Sequence, residues 1–325
     1  MTAPLLSAES VSKSFVLKSA GSKSVLKAVD SVSLVLQKGE TLGLAGESGC
    51  GKSTIAKMIA GLMSPDSGII SFKGTEISSL DPKSLQTFRR SVQMIFQDPF
   101  SSLNPRMRIG DTIAEPLQIH HLCDPSKLRE TTLNQMDQVG LAADQYDRFP
   151  HEFSGGQRQR IGIARALAAQ PDILIADEPV SSLDISIQAQ IINLLQDLKH
   201  QHGLTLLMVS HDLGVLHHVC DRIAVMYLGA VVELAPAESL FQQCRHPYSQ
   251  ALLAAIPRIH KVLDSSVKPL ISSELPSAID LPRGCSFHPR CPYAKEICQQ
   301  EKPPLVEQHP GHFAACHLSA SIFNA

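Results

Sequence analysis

Gly46-Glu47-Ser48-Gly49-Cys50-Gly51-Lys52-Ser53-Thr54 has the residue types and spacing of a loop that cradles phosphate. Gly46, Gly49 and Gly51 let backbone N–H groups turn inward on the anion. Lys52 brings a point charge to the outer phosphates, and the Ser53 hydroxyl stands where Mg²⁺ would sit at a helix N-terminus. The apolar run from Leu42 to Ala45 precedes the loop and a helix-compatible run from Ile55 to Gly61 follows it, which is the context the motif requires. A flexible surface loop is the competing reading, and the restrictive spacing argues against it. Kinases, GTPases, helicases and transport ATPases share such a loop, so alone it specifies only nucleotide binding.

Other residues able to do chemistry stand where apolar runs end. Val92 to Phe96 is β-like and stops at Gln97, whose amide could reach Mg²⁺ or an attacking water, although a Gln in a loop is commonly just solvated. Ile173 to Ala176 leads into Asp177 and Glu178, as a buried parallel strand delivering acids to its C-terminal edge would. Alternation along the strand points the two carboxylates different ways, which suits Asp177 to Mg²⁺ and Glu178 to the nucleophilic water. Thr205 to Val209 ends close to His211, placed to touch a terminal phosphate unless its role is structural. Ser154-Gly155-Gly156-Gln157 opens a run in which Ile161, Ala164, Arg165 and Ala168 recur at helical spacing. The N–H groups and positive dipole end of that helix make a second anion site, with a plain capped turn as the alternative. Phe15, ahead of the phosphate loop, could stack on a base or simply belong to the core.

The elements that must position these residues follow from the same pattern. Apolar β-like runs alternating with helical runs, polar groups at the strand ends, specify an α/β fold with a mainly parallel sheet. Residues 5 to 36 instead alternate short apolar runs with polar breaks around Gly21-Ser22-Lys23, the pattern of antiparallel strands and a hairpin. Residues 110 to 150 have helical spacing with polar faces throughout and read as a small helical insertion. Ser181-Ser182-Leu183-Asp184 precedes an amphipathic helix with Ile187, Ile191, Leu194, Leu195 and Leu198 on one face. With 325 residues, the chain can hold one large domain and an appendage. Its net charge of −2 provides no basic footprint for nucleic acid. The longest apolar candidate, Ile223 to Leu234, is interrupted by Gly229 and Glu233 and falls short of the roughly 18 residues that span a bilayer. Met1 to Ser10 shows no secretory pattern, which places the chain in the cytosol, where eight cysteines favour thiols or metal ligation over disulfides.

Taken in order, Gly46 to Thr54, Gln97, Ser154 to Gln157, Asp177-Glu178, Ser182-Leu183-Asp184 and His211 make the chain similar to the nucleotide-binding subunit of an ABC transporter, over roughly residues 5 to 260. The resemblance implies a P-loop ABC ATPase domain with an N-terminal antiparallel β subdomain and a helical signature subdomain at about residues 110–165. It implies that Gly46, Glu47, Ser48, Gly49, Cys50, Gly51, Lys52, Ser53 and Thr54 bind ATP, with Ser53, Gln97 and Asp177 on Mg²⁺. Glu178 becomes the catalytic base, His211 a γ-phosphate contact, Gln97 a sensor coupled to the membrane partner, and Phe15 the adenine-stacking aromatic, where the family more often has Tyr. In that family Ser154, Gly155, Gly156 and Gln157 bind the γ-phosphate of ATP held by the opposite subunit, so two composite sites form between head-to-tail partners; Asp184 closes the neighbouring loop. Phe153 stands where Leu is usual, and Ser182 where Ala is commoner.

Gln97-Asp98-Pro99-Phe100-Ser101-Ser102-Leu103-Asn104-Pro105-Arg106, His151-Glu152-Phe153 with the signature behind it, and His246-Pro247-Tyr248-Ser249-Gln250-Ala251-Leu252 narrow the resemblance to the bacterial dipeptide, oligopeptide and nickel importers. This implies an ATPase on the cytoplasmic face of the inner membrane, two transmembrane permease subunits, a second ATPase subunit as homo- or heterodimer partner, and a solute-binding protein acting indirectly. A soluble ABC ATPase working on DNA or ribosomes is the rival, but no long coiled coil and no second nucleotide domain is visible. A degenerate nucleotide sensor is disfavoured because Lys52, Glu178 and His211 are all present.

Residues 261–325 resemble the C-terminal extension of that subfamily, with Cys285, Cys291, Cys298 and Cys316 separated by five, six and seventeen residues. The segment is Pro-rich with few large apolar residues and needs a staple. Four thiolates could hold an iron–sulfur cluster or zinc, or remain reduced structural thiols; the gaps are not those of common zinc modules. The subfamily resemblance implies a [4Fe-4S] cluster. Cys50, a small filler in the phosphate loop, and the dispersed Cys123, Cys220 and Cys244 receive no role of their own.

Overall fold

The computed structural model describes residues 3–19, 22–98, 100–181, 183–256, 279 and 281–323. Ser182 and the expected boundary between residues 260 and 261 lie outside them. The chain opens with two long antiparallel strands, β1 (Leu6–Ser19) and β2 (Ser22–Leu36), as the alternation in residues 5 to 36 predicts. β3 (Thr41–Ala45) then delivers the phosphate loop to α1 (Lys52–Ile59). β4 (Ser67–Phe72) and the short β5 (Thr75–Glu76) complete an antiparallel sheet in the order β2-β1-β4-β5. Asp81 caps α2 (Pro82–Ser91) by accepting the N–H groups of Lys83 and Ser84, and β6 (Val92–Ile95) follows.

The expected helical insertion is α3 (Ile109–Ile119), α4 (Leu128–Gln138) and α5 (Gly155–Ala168), packed on one another. The chain returns to the sheet through β7 (Ile173–Asp177), α6 (Ile185–His202), β8 (Thr205–Val209), α7 (Leu213–Val219) and β9 (Arg222–Tyr227). β10 (Ala230–Pro236), α8 (Ala237–Gln243) and α9 (Pro247–Ala254) follow. The C-terminal part adds α10 (Glu296–Gln300), β11 (Val306–His309), β12 (His312–Ala314) and α11 (Ser319–Phe323).

The large sheet has the order β11-β12-β10-β9-β3-β8-β7-β6. From β9 to β6 all pairings are parallel. Every residue of β3, β7 and β8 is buried, because helices or the small sheet cover both faces. Alternation sorts the side chains: Ile173, Ile175, Leu207 and Val209 join the core with α1, whereas Leu174, Ala176, Leu206 and Met208 join the core with α5 and α6. Parallel alignment puts the ends of β3, β6, β7 and β8 at one edge, where the chemistry-bearing residues were expected.

The apolar run Ile223 to Leu234 is a hairpin: β9 turns into β10 at Leu228 and Gly229, whose φ angles are 43° and 84°. Among the described residues, no helix is long and apolar enough to cross a membrane. The polar residue that breaks the run has a structural purpose. Glu233 is 0% exposed, and its carboxylate lies 2.7 Å from His312 Nε2 while accepting the N–H groups of Arg245 and His246. The described part of the tail thus relies on more than a staple. β12 pairs antiparallel with β10, placing Ala314 opposite Glu233, and Phe287 is buried against Tyr227 and Tyr248.

Candidate active site

The phosphate loop leaves β3 and closes on α1 with Gly46, Gly49 and Gly51 all in the left-handed half of backbone space. At Gly51 the requirement is absolute: φ is +105°, and a Cβ would lie 2.2 Å from the Ala28 carbonyl oxygen on β2. Lys52 is buried, and its Nζ donates to the carbonyls of Gly46 at 2.8 Å and Glu47 at 3.0 Å. Cys50 fills the space beneath the loop, and burial pushes its thiol pKa up. A cavity of about 410 Å³ is lined by Gly46, Glu47, Ser48, Glu178, His211 and Leu252, roomy enough for a small ligand.

The two acids point apart, although not by strand alternation, because β7 ends at Asp177 and Glu178 follows it in a turn. Asp177 turns to the first turn of α1, where Ser53 Oγ donates to its Oδ1 at 2.9 Å. Burial raises the Asp177 pKa, and the Ser53 hydrogen bond opposes that rise. An adjacent hydroxyl and carboxylate form an oxygen donor set of the kind Mg²⁺ takes. Glu178 leaves the strand with φ +46°, a conformation that costs a non-glycine residue about 1 kcal/mol or more. Its N–H is anchored on the Val209 carbonyl at 3.0 Å. The strained backbone aims the carboxylate into the cavity, where Gln97 Nε2 donates to Oε2 at 3.0 Å and His211 Nδ1 stands 3.4 Å from the same oxygen. Lys52 Nζ lies 4.0 Å from the other oxygen. The first residue of α1 and residues that follow β6 and β8 therefore meet on the carboxylate that follows β7.

Ser154 caps α5 in a reciprocal box with Gln157: the Gln157 N–H donates to Ser154 Oγ at 3.4 Å, and the Ser154 N–H to Gln157 Oε1 at 3.0 Å. Ser154 and Gly155 are exposed, and no signature residue lines the cavity at the phosphate loop. Gly156 instead packs on α6, where a Cβ would lie 2.5 Å from Ile187 Cγ2. Asp184 stands at the N-terminus of α6. Phe15 is half-buried on β1, opposite Leu26 on the strand that carries Ala28 against Gly51.

The sequence reading missed a set of contacts beneath the loop. Arg290, in the tail, makes a forked pair with Glu47: Nη1 to Oε2 at 2.9 Å and Nη2 to Oε1 at 3.0 Å. The Glu47 N–H donates to Tyr248 Oη at 3.0 Å. Nothing in the spacing of Arg290 announces this partner 243 residues away.

The four tail cysteines form no disulfide and stand near one another: Cys285, Cys291 and Cys298 all act on the Cys316 thiol, which is pushed up to about 11, chiefly by burial. The Cys285 N–H donates to the Cys298 carbonyl at 2.8 Å. The Leu318 N–H donates to Cys316 Sγ at 3.4 Å. Among the described residues, no group of three or more His, Cys, Asp or Glu is arranged to hold a single metal ion.

The ABC transporter family model matches residues 29–181, and the model for the oligopeptide/dipeptide transporter C-terminal region matches residues 232–298. An oligopeptide transport ATP-binding protein of Bacillus subtilis, AppF, is 50% identical over 297 residues, 90% of each chain. A putative oligopeptide transport ATP-binding protein of the same organism is 48% identical over 92% of each chain. The chain belongs to the ATP-binding proteins of the oligopeptide/dipeptide ABC transporter family. A probable peptide ABC transporter ATP-binding protein of Sinorhizobium fredii is 45% identical over 98% of this chain and 91% of its own. Among solved structures, a dimeric ATP-binding cassette in a post-hydrolysis state with ADP and Pi is similar, with a TM-score of 0.64 and 28% identity over 71% of this chain and 98% of that one. The ligand of this ABC ATPase is ATP.

Proposed function

We propose that this chain is the ATP-hydrolysing subunit of a bacterial importer of di- and oligopeptides, working at the cytoplasmic face of the membrane with two permease subunits, a second ATPase subunit and a solute-binding protein. The observation that carries the catalytic reading is the convergence of Lys52, Gln97 and His211 on the Glu178 carboxylate. Support for the peptide cargo comes from the names of the relatives and from the C-terminal family region. Nickel or another small solute is the alternative cargo.

Phosphoryl transfer to water asks for little covalent chemistry from the protein and much positioning. The backbone N–H groups of the loop and Lys52 hold the phosphate chain. Mg²⁺ when bound by Ser53 and Asp177 neutralises charge on the phosphate oxygens. Glu178 accepts a proton from the attacking water, Gln97 orients it, and His211 contacts the outer phosphate. Phe15 stacks on the adenine. Ser154 to Gln157 complete the partner's site, since Ser154 and Gly155 are exposed and none of the four lines the cavity of their own loop. Asp184 flanks that junction.

Cys285, Cys291, Cys298 and Cys316 hold a [4Fe-4S] cluster in this reading. The Cys316 sulfur accepts the Leu318 N–H at 3.4 Å, and a four-iron cluster keeps its thiolates further apart than a single ion does. That fits thiols that interact without forming a single-ion site. Bound, the cluster supplies a cross-link for the tail.

The test is ATP-driven uptake by membranes containing the whole transporter, assayed with peptides and with nickel. Peptide uptake that requires ATP and this subunit is expected; uptake of nickel alone would overturn the peptide assignment. Iron and sulfide analysis of the anaerobically purified chain tests the cluster, and absence of both overturns it.

A further inference from the structure

We infer that the C-terminal extension is part of the nucleotide site, and that Arg290 is a positioning residue that neutralises Glu47 and holds the phosphate loop in its binding shape. The inference rests on the ATP site described above and concerns a residue outside it. Glu47 is the second residue of the loop and lines the cavity next to Gly46 and Ser48. An acid at this place opposes a polyphosphate by simple repulsion. Arg290 removes that opposition by taking both carboxylate oxygens in one planar fork.

The arginine is built in to do this. It is 8% exposed, its Nη1 also donates to Tyr227 Oη at 3.4 Å, and its guanidinium lies over the Tyr227 ring at 5.7 Å. Tyr248 takes the Glu47 N–H, and Phe287 packs edge-on against Tyr227, so the loop residue is gripped at backbone and side chain by one aromatic block. The turn His288–Arg290 that bears the arginine is bracketed by Cys285 and Cys291, and the Cys291 N–H donates to the His288 carbonyl at 3.2 Å. Whatever orders the four-cysteine turn therefore orders the partner of Glu47. A buried arginine deprived of its carboxylate, or the carboxylate deprived of its arginine, leaves an uncompensated charge beside the phosphates.

The experiment measures binding of fluorescent ADP to the full-length chain, which needs only the loop's own half of the site. Arg290→Met should weaken ADP about tenfold, the ratio set by roughly 1.4 kcal/mol. Adding Glu47→Gln to Arg290→Met should recover most of the lost affinity, because the repelling charge is gone; a purely structural role for Arg290 gives no such rescue. Lys302→Gln, which cuts the separate 2.7 Å contact of the tail with Asp30, should leave ADP affinity unchanged. Unchanged affinity in a folded Arg290→Met chain, or a double variant as weak as the single one, overturns the proposal. Should Arg290→Met fail to fold, Arg290→Lys keeps the charge and gives up the fork; weaker ADP binding is expected there, and wild-type binding overturns the proposal. Failure of the unsubstituted chain to bind ADP is a different result, which removes the nucleotide site itself.

Discussion

Gln97 Nε2 donates to Glu178 Oε2 at 3.0 Å, so the end of β6 and the end of β7 share one carboxylate oxygen. In the proposed mechanism this pair holds the base that faces the attacking water, and it leaves Glu178 Oε1 on the Lys52 side, 4.0 Å from Nζ. Replacing Glu178 by Gln preserves the shape and removes the proton acceptor. ATP turnover of the assembled transporter should fall about a hundredfold or more, the contribution of a positioned base, while nucleotide binding persists. Turnover at the original rate would show that the base lies elsewhere.

The 2.9 Å bond from Ser53 to Asp177 predicts where Mg²⁺ acts. Asp177 is buried and its pKa is raised by burial, so its charge is costly until a cation compensates it. Asp177→Asn should leave metal-free ADP binding close to the original and abolish most of the gain in affinity that Mg²⁺ provides, about tenfold or more. ADP titrations with Mg²⁺ and with a chelator measure both. An equal Mg²⁺ gain in the variant would remove Asp177 from the metal site.

Most of this edge was legible in the sequence because each candidate residue stands where an apolar run closes: Gln97 after β6, Asp177 at the end of β7 with Glu178 next, His211 after β8. A parallel strand buried on both faces writes itself as such a run, and its end marks the ligand edge. The strain at Glu178 was not legible, since a φ of +46° is imposed by the turn and not by residue type. Nor was the anchoring of the tail. Glu233 looks like a break in an apolar stretch until His312 and the backbone of Arg245 and His246 are brought to it by folding. β11 and β12 are four and three residues long, too short to carry a period, and β12 exists because β10 offers it an edge.

The exposed Ser154 and Gly155 predict a division of labour between subunits. Ser154→Ala deletes the cap hydroxyl that receives the Gln157 N–H and should cost α5 about 1 kcal/mol. Its larger effect should fall on the other subunit. With Ser154→Ala on one subunit and Glu178→Gln on the other, both lesions fall on one composite site and the second site stays intact; with both substitutions on one subunit, each site carries one lesion. Single-turnover measurements on both arrangements of matched subunits should differ; identical turnover would contradict a composite site.

His246 predicts an acid limit. Its ring is fully buried and takes the Tyr248 N–H on Nδ1 at 3.0 Å, and burial lowers its pKa to about 3 from an ordinary 6.5. The folded chain therefore refuses a proton that the unfolded chain accepts below 6.5. The stabilisation is complete above that value and is lost progressively as the pH falls from 6.5 towards 3. Between pH 7 and pH 5 this costs about 2 kcal/mol, at roughly 1.4 kcal/mol for each unit below 6.5. His246→Asn keeps an acceptor for the Tyr248 N–H at the start of α9 and does not titrate in this range. Its stability should start lower at pH 7.5, for lost packing, and then fall less steeply to pH 5 than that of the original chain. Thermal unfolding at the two pH values measures the slopes, and equal slopes would place the acid sensitivity at another group.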